Sequence, residues 1–278
     1  MPDVYATIEQ ADETVQERLA DVLELRAADL QQRAMLEGYL NELPLATGAR
    51  ILEIGCGTGA VARTLARRFE GSEVVGIDPG ALFIDRARSR AEGIDGLAFV
   101  IGDGRDLPFE DGSFDAVVCH TTLCHIPEPE RVLAEALRVA RSGGWLAVFD
   151  GDYATTTVAI CDHDPLQTCA DAAIEALVHD RWLLRRLPAL MAAVGWQLVR
   201  TRSYGYVETT QAQYMLTLVD RGADALAAAR SITNDTAEAL KEEARRRVRA
   251  DTFFGHIAYG SLLACSPERG PSRRPSVK

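Results

Sequence analysis

Residues Leu52–Ala60 read LEIGCGTGA, with glycines at 55, 57 and 59. The apolar run ARILEIG leads into them. The segment AVARTLARRF leads out, with Val61, Leu65 and Phe69 on one helical face. The stretch therefore reads as strand, glycine loop and helix. Glycine lets the backbone approach a ligand and supplies positive φ, and a plain βα turn does not need three of them. Two registers are open. One is the dinucleotide pattern G-x-G-x-x-G/A, with Ala60 in the last slot. The other is G-x-G-x-G, with Gly59 as the third contact. The glycines alone do not choose between them.

Working outward, strand and helix patterns alternate. EVVGID, LAFVIGD, FDAVVCH and WLAVFDGDY read as strands. ALFIDRARSRAE and PERVLAEALRVAR read as helices, the second opening on Pro129 and ending at Gly143 and Gly144. The strands are near-continuous apolar runs, as expected when both sheet faces are covered. This predicts an α/β, Rossmann-like, mostly parallel sheet whose ligand lies beyond the strands' carboxyl ends.

Residues 1–47 are expected to form an N-terminal helical cap, with Val15, Leu19, Val22 and then Leu36, Leu40, Leu43 at helical spacing. The core is expected over 48–210, with a helical insertion at about 155–180. The long helical pattern DAAIEALVHDRWLLRRLPALMAAVGW should break near Pro188, and WQLVRTRSYGYVET follows as a strand. Helices over 211–250 form a second lid segment, 251–266 supplies the final strand, and 267–278 has the composition of a disordered tail.

The formal charge of −11 argues against nucleic acid as a partner. No apolar run is long enough to span a bilayer, and the acidic N-terminus is not a signal peptide, so a cytoplasmic protein with no membrane partner is expected. The six cysteines, Cys56, Cys119, Cys124, Cys161, Cys169 and Cys265, form no C-x-x-C pair and no zinc spacing with histidine, so they read as reduced thiols and no metal is expected. The oligomeric state is not legible.

Asp78 ends the second strand, where a carboxylate accepts ribose hydroxyls of NAD or of S-adenosylmethionine. No Lys-Ser/Thr pair follows Gly59, which excludes a bare phosphate loop. Asp103, after the third strand, is placed to accept from an adenine amine. Together, LEIGCGTGAVA, VVGIDPG, GDGRDLPFEDGSFDAVV and LCHIPEPERVLAEALRVARSGGWLAV resemble class I S-adenosylmethionine-dependent methyltransferases, nearest the ubiquinone/menaquinone-biosynthesis-like small-molecule branch.

The resemblance covers about residues 48–152. It implies S-adenosylmethionine as cofactor and a small-molecule methyl acceptor. Gly55, Cys56 and Gly57 would meet the methionine part, with Gly59 closing the loop and Glu53 orienting it. Asp78 and Pro79 would meet the ribose. Phe83 would lie against adenine, with Asp103, Gly104 and Arg105 at its edge. Cys119 and His120 would lie beneath the methyl group, with Thr121. Gly80 stands where many relatives carry serine. The resemblance also implies a seven-stranded sheet of order 3-2-1-4-5-7-6, its seventh strand antiparallel, with the helical segments forming a lid.

Methyl transfer from a sulfonium is an in-line displacement that needs alignment and dryness, and a base only if the acceptor must lose a proton. His120 is the candidate base, since histidine titrates near neutrality. Asp152, Tyr153 and His256 are candidate substrate contacts, and Asp150 shares their strand end. His125 reads as structural, and His163 and His179 fall in the expected lid. Either Arg26 or Arg33 is able to clamp the cofactor carboxylate, but an exposed helical ion pair is the plainer reading of both. The run Arg245, Arg246, Arg247 and Arg249 reads as a solvated face. Competing functions are a non-methylating enzyme such as a cyclase on this fold, an arsenite methyltransferase using Cys119, Cys124, Cys161 and Cys169, an NAD-dependent oxidoreductase, and a non-enzymatic cofactor-binding module.

Overall fold

The structure is a computed structural model that describes residue 5, residue 8 and residues 11–268. The expected tail lies outside the described residues, apart from Pro267 and Glu268. Two helices, α1 (Glu13–Ala28) and α2 (Leu30–Leu40), precede β1 (Arg50–Ile54). Then follow α3 (Ala60–Arg68), β2 (Glu73–Asp78), α4 (Ala81–Arg90), β3 (Leu97–Ile101), β4 (Phe114–His120), α5 (Pro129–Val139) and β5 (Ala140–Thr157). The chain continues with α6 (Pro165–Leu177), α7 (Leu183–Val194), β6 (Gln197–Glu208), α8 (Gln213–Ala228), α9 (Asn234–Arg249) and β7 (Gly255–Cys265).

The strands form one sheet of order β3-β2-β1-β4-β5-β7-β6, as the sequence predicts. β1 to β5 pair in parallel, and β7 runs antiparallel between β5 and β6. Ile51, Leu52 and Ile54 are all buried, although successive side chains point to opposite faces. Both faces of the sheet centre are therefore covered, which is why these strands read as continuous apolar runs.

The N-terminal helical segment divides at Asp29, whose extended backbone and carboxylate, accepting the Gln32 amide, cap α2. Three local expectations are revised. The helix expected to end at Gly143 ends at Val139, because Ala140 already pairs with Phe114 as the first residue of β5. Pro188 sits inside α7 without dividing the helical segment; the division falls at 178–182, where the Asp180 amide donates to the Cys124 carbonyl. Finally, Arg247 is not solvated. It is 7% exposed and bonds the buried Asp164 carboxylate and Glu243, fastening α9 to the start of α6.

Beneath the glycine loop the geometry is strict. Gly55 has φ +71°, and a Cβ there would meet the Thr122 side chain at 2.1 Å. Gly59 has φ +77°, and its Cβ would meet the Phe99 ring at 2.6 Å. Only glycine satisfies both the left-handed backbone and the contact.

Candidate functional site

A cavity of about 290 Å³ opens beyond the carboxyl ends of β1, β2 and β4 and is walled by α1, α2, α6 and α8. Its two ends differ in chemistry.

At the first end the loop is tied to β2. The Gly55 and Cys56 amides donate to the Ile77 carbonyl at 2.8 and 3.1 Å, and the Gly57 amide donates to Asp78 Oδ2 at 2.9 Å. The amides of residues 55–57 are thus committed within the fold, leaving carbonyls as the polar groups this stretch offers. Asp78 also accepts the Gly80 amide on Oδ1 at 2.9 Å. A carboxylate has about four lone-pair sites, so it keeps capacity for hydroxyl donors. Asp103 is held by Arg105 in a bidentate ion pair with distances of 3.0 and 2.7 Å, which pulls its carboxyl below the usual range. Phe83 is buried under α1 beside Leu19 and Ala20. Glu53 is 2% exposed, and burial pushes its carboxyl well up despite the Ala62 amide nearby.

The other end is aromatic and cationic. His120, Phe149 and Tyr259 stack across β4, β5 and β7 with ring centroids 4.6 and 5.3 Å apart. Tyr39 of α2 contacts the same stack, and its hydroxyl lies 3.0 Å from His120 Nδ1. The Tyr39 hydroxyl has no other hydrogen-bond partner among the described residues. Burial holds that phenol protonated, and burial together with the Arg26 charge pushes the imidazole well below its ordinary range. With Tyr39 as the donor to Nδ1, neutral His120 would carry its own proton on Nε2. Arg26 Nη1 donates to Thr121 Oγ1 at 3.0 Å. Burial works to discharge Arg26, but a guanidinium does not give up its proton in a protein, so it stays charged.

The cavity brings together Glu53, Gly55, Cys56, Gly57, Asp78, Pro79, Phe83, Asp103, Gly104, Arg105, His120 and Tyr153. Four expected residues do not line it. Gly59 packs against Phe99 and Ala87, and its neighbours Thr58 and Ala60 line the wall instead. Cys119 is in the core, because side chains alternate along β4 and His120 takes the cavity side. Asp152 alternates with Tyr153 in the same way and binds Arg185 at 2.8 Å. β5 runs on to Thr157, where His256 pairs with it and stacks on Phe254. Asp150 is fully buried and accepts the Cys124 and Gly151 amides. His163 and His179 are exposed. Among the described residues no three His, Cys, Asp or Glu side chains cluster to hold a metal, so the four cysteines suggested for metalloid chemistry do not converge. No helix of the described residues is long and apolar enough to cross a membrane.

Sequence reading missed Tyr39, Gln32 and Tyr214 and set Arg26 aside. All but Tyr39 line the cavity, and Tyr39 bonds a residue that does. They lie on separate elements with no shared motif. The one available signal was an arginine, Arg26, in a helix whose apolar spacing already marked it for packing.

Residues 52–148 match the methyltransferase domain family. The chain is 38% identical over 151 residues to a fatty-acid O-methyltransferase of Mycolicibacterium smegmatis, covering 53% of this chain and 54% of that one. Among solved structures it resembles a putative methyltransferase from Bacillus halodurans, with TM-score 0.60 and 19% identity over 84% of this chain and 98% of that one. It also resembles the (4+2)-cyclase SpnF, with TM-score 0.55 and 22% identity over 85% and 82%. The chain spans about half the length of the curated relatives it matches. Residues 52–148 are a domain of the class I S-adenosylmethionine-dependent methyltransferase family, whose cofactor is S-adenosylmethionine.

Proposed function

We propose, with that domain as the premise, that the chain transfers a methyl group from S-adenosylmethionine to a small-molecule acceptor by in-line displacement. The observation that carries the reading is the single cavity joining the cofactor loop to the aromatic end. The groups at its first end suit the cofactor: loop carbonyls for an ammonium, Asp78 for ribose hydroxyls, Phe83 and Asp103 for adenine. Arg33 also lines the cavity and shares a shallow depression with Thr64 and Arg67 of α3, beside the loop, so we assign it to the cofactor's carboxylate.

The bound cofactor supplies an electrophilic methyl on a sulfonium. The protein's part is to hold the acceptor on that axis and keep water out. We assign His120 as a hydrogen-bond donor through Nε2 rather than a base, because Tyr39 occupies Nδ1. The acceptor atom then arrives already able to attack. The relative named for fatty-acid O-methylation supports a small apolar acceptor, and the net charge of −11 supports excluding nucleic acid.

Titration calorimetry with S-adenosylhomocysteine tests the cofactor site: binding is expected, and none overturns the reading. Release of S-adenosylhomocysteine on turnover of an acceptor separates methyl transfer from a cyclase-type reaction, which would turn over without it.

A further inference from the structure

Arg26 has an unused face. Its Nη1 is engaged by Thr121, while Nε and Nη2 are buried with no hydrogen-bond partner among the described residues. Those two groups form the side-on fork that matches a carboxylate with two parallel hydrogen bonds. No carboxylate of the described residues pairs with Arg26. Asp150, whose charge reaches it, is committed to backbone amides. Two buried N–H groups of a charged guanidinium left without hydrogen bonds are costly, so an anion from outside the chain suits them.

One further polar group stands nearby. Gln32 is 3% exposed, lines the cavity, and neither side-chain amide atom makes a hydrogen bond of good geometry among the described residues. Tyr259 is 1% exposed and lies behind the cavity wall; its ring centroid is 5.5 Å from the Arg26 guanidinium, and Gln32 and Tyr214 stand beside its hydroxyl. A guanidinium fork and an amide make a donor set for one oxyanion.

We propose that this end of the cavity reads a carboxylate on the methyl acceptor, seated against Arg26 and Gln32, with the Tyr259 ring behind the guanidinium. The inference rests on the methyltransferase reading. The cofactor's own carboxylate is the competing occupant. It is served by Arg33 beside α3, whereas Arg26 spans from Thr121 after β4 to the Tyr259 ring of β7. One unshared cation matches a monoanion; Arg221 of the α8 wall is engaged with the Tyr5 hydroxyl. Leu36, Ile174, Leu177, Val178 and Leu218 line the remainder, so the body of the acceptor is apolar. A carboxylate oxygen also needs no base, in keeping with the His120 tautomer.

The test uses the full chain saturated with S-adenosylhomocysteine. Straight-chain monocarboxylates of four to ten carbons are titrated against their primary amides. The best carboxylate is expected to bind at least about tenfold tighter than its amide, a 1.4 kcal/mol difference. Arg26→Gln should abolish that preference while leaving S-adenosylhomocysteine affinity within about twofold, which also shows that the variant folds. Equal binding of acid and amide by the wild type overturns the inference. So does an Arg26→Gln variant that loses S-adenosylhomocysteine binding yet keeps the preference, because Arg26 would then belong to the cofactor. Absence of S-adenosylhomocysteine binding by the wild type overturns the methyltransferase reading itself.

Discussion

At the cofactor end of the cavity, the groups come from the carboxyl edges of three neighbouring strands and the loops that leave them: Glu53 to Thr58 after β1, Asp78 and Pro79 after β2, Asp103 to Arg105 after β3. At the acceptor end, Arg26 and Gln32 come from helices before the sheet, His120 from β4, Tyr153 from β5, Tyr214 from α8 and Tyr259 from β7. The first end is local in sequence and backbone-driven, with each group fixed by a turn. The second is assembled by packing, with each group held by neighbours distant along the chain. The two ends should therefore fail separately, through different kinds of substitution.

The largest effect is expected at the loop. Gly55→Ala places a Cβ 2.1 Å from Thr122 on a left-handed backbone, and should cost more than about 3 kcal/mol of stability. Thermal melting reads the cost, and cofactor titration should show binding lost as well. A wild-type melt with normal binding would mean that the loop is not strict.

Gly222→Ala attacks the other end. Its Cβ would sit 1.7 Å from the Cys169 carbonyl oxygen, where α8 crosses α6. A cost of about 2–4 kcal/mol is expected, in the range of overpacked sites. S-adenosylhomocysteine affinity should survive in the folded fraction while acceptor turnover falls. Equal loss of both would dissolve the distinction between the two ends.

Asp78→Ala should weaken S-adenosylhomocysteine by about 1–3 kcal/mol, or roughly fivefold to 150-fold. It also leaves the Gly57 and Gly80 amides without their carboxylate. Asp78→Asn keeps an acceptor oxygen and should lose less. Calorimetry on both variants separates ribose binding from loop support, and equal loss would assign the whole effect to charge.

The smallest effect is a slope. The folded-state pKa of His120 lies below its ordinary 6.5, because burial and then Arg26 disfavour the imidazolium. Tyr39 and Arg26 face it from α2 and α1, and Phe149 from β5. The unfolded chain thus binds a proton that the folded chain does not, so stability falls as pH drops below about 6.5, by at most about 1.4 kcal/mol per pH unit from this group. His120→Gln should flatten that part of the denaturation-versus-pH curve. An unchanged curve would place the titration elsewhere.

The contrast also explains what was legible. The strand–loop–helix turn at LEIGCGTGA was legible because such a turn needs glycine at fixed offsets, and Gly55 and Gly59 do take positive φ. The sheet order was legible through the resemblance those motifs carried. Cys119 and Asp152 were misplaced because a strand end tells which residues are near a site but not which face each takes; one step along β4 or β5 reverses the side chain. Gly59 packs on Phe99 and lies off the cavity lining, and a packing glycine and a ligand glycine look alike in a pattern.

The sequence by itself determined the alternating sheet, the cofactor loop and the carboxylates at strand ends, since these follow from short-range periodicity and turn chemistry. Only the tertiary structure decided that two N–H groups of Arg26 are buried, that the Tyr39 hydroxyl meets His120 Nδ1, and that Gln32 and Tyr259 stand with them. Those contacts join residues far apart in the chain, and their chemistry arises from burial, which no local pattern encodes.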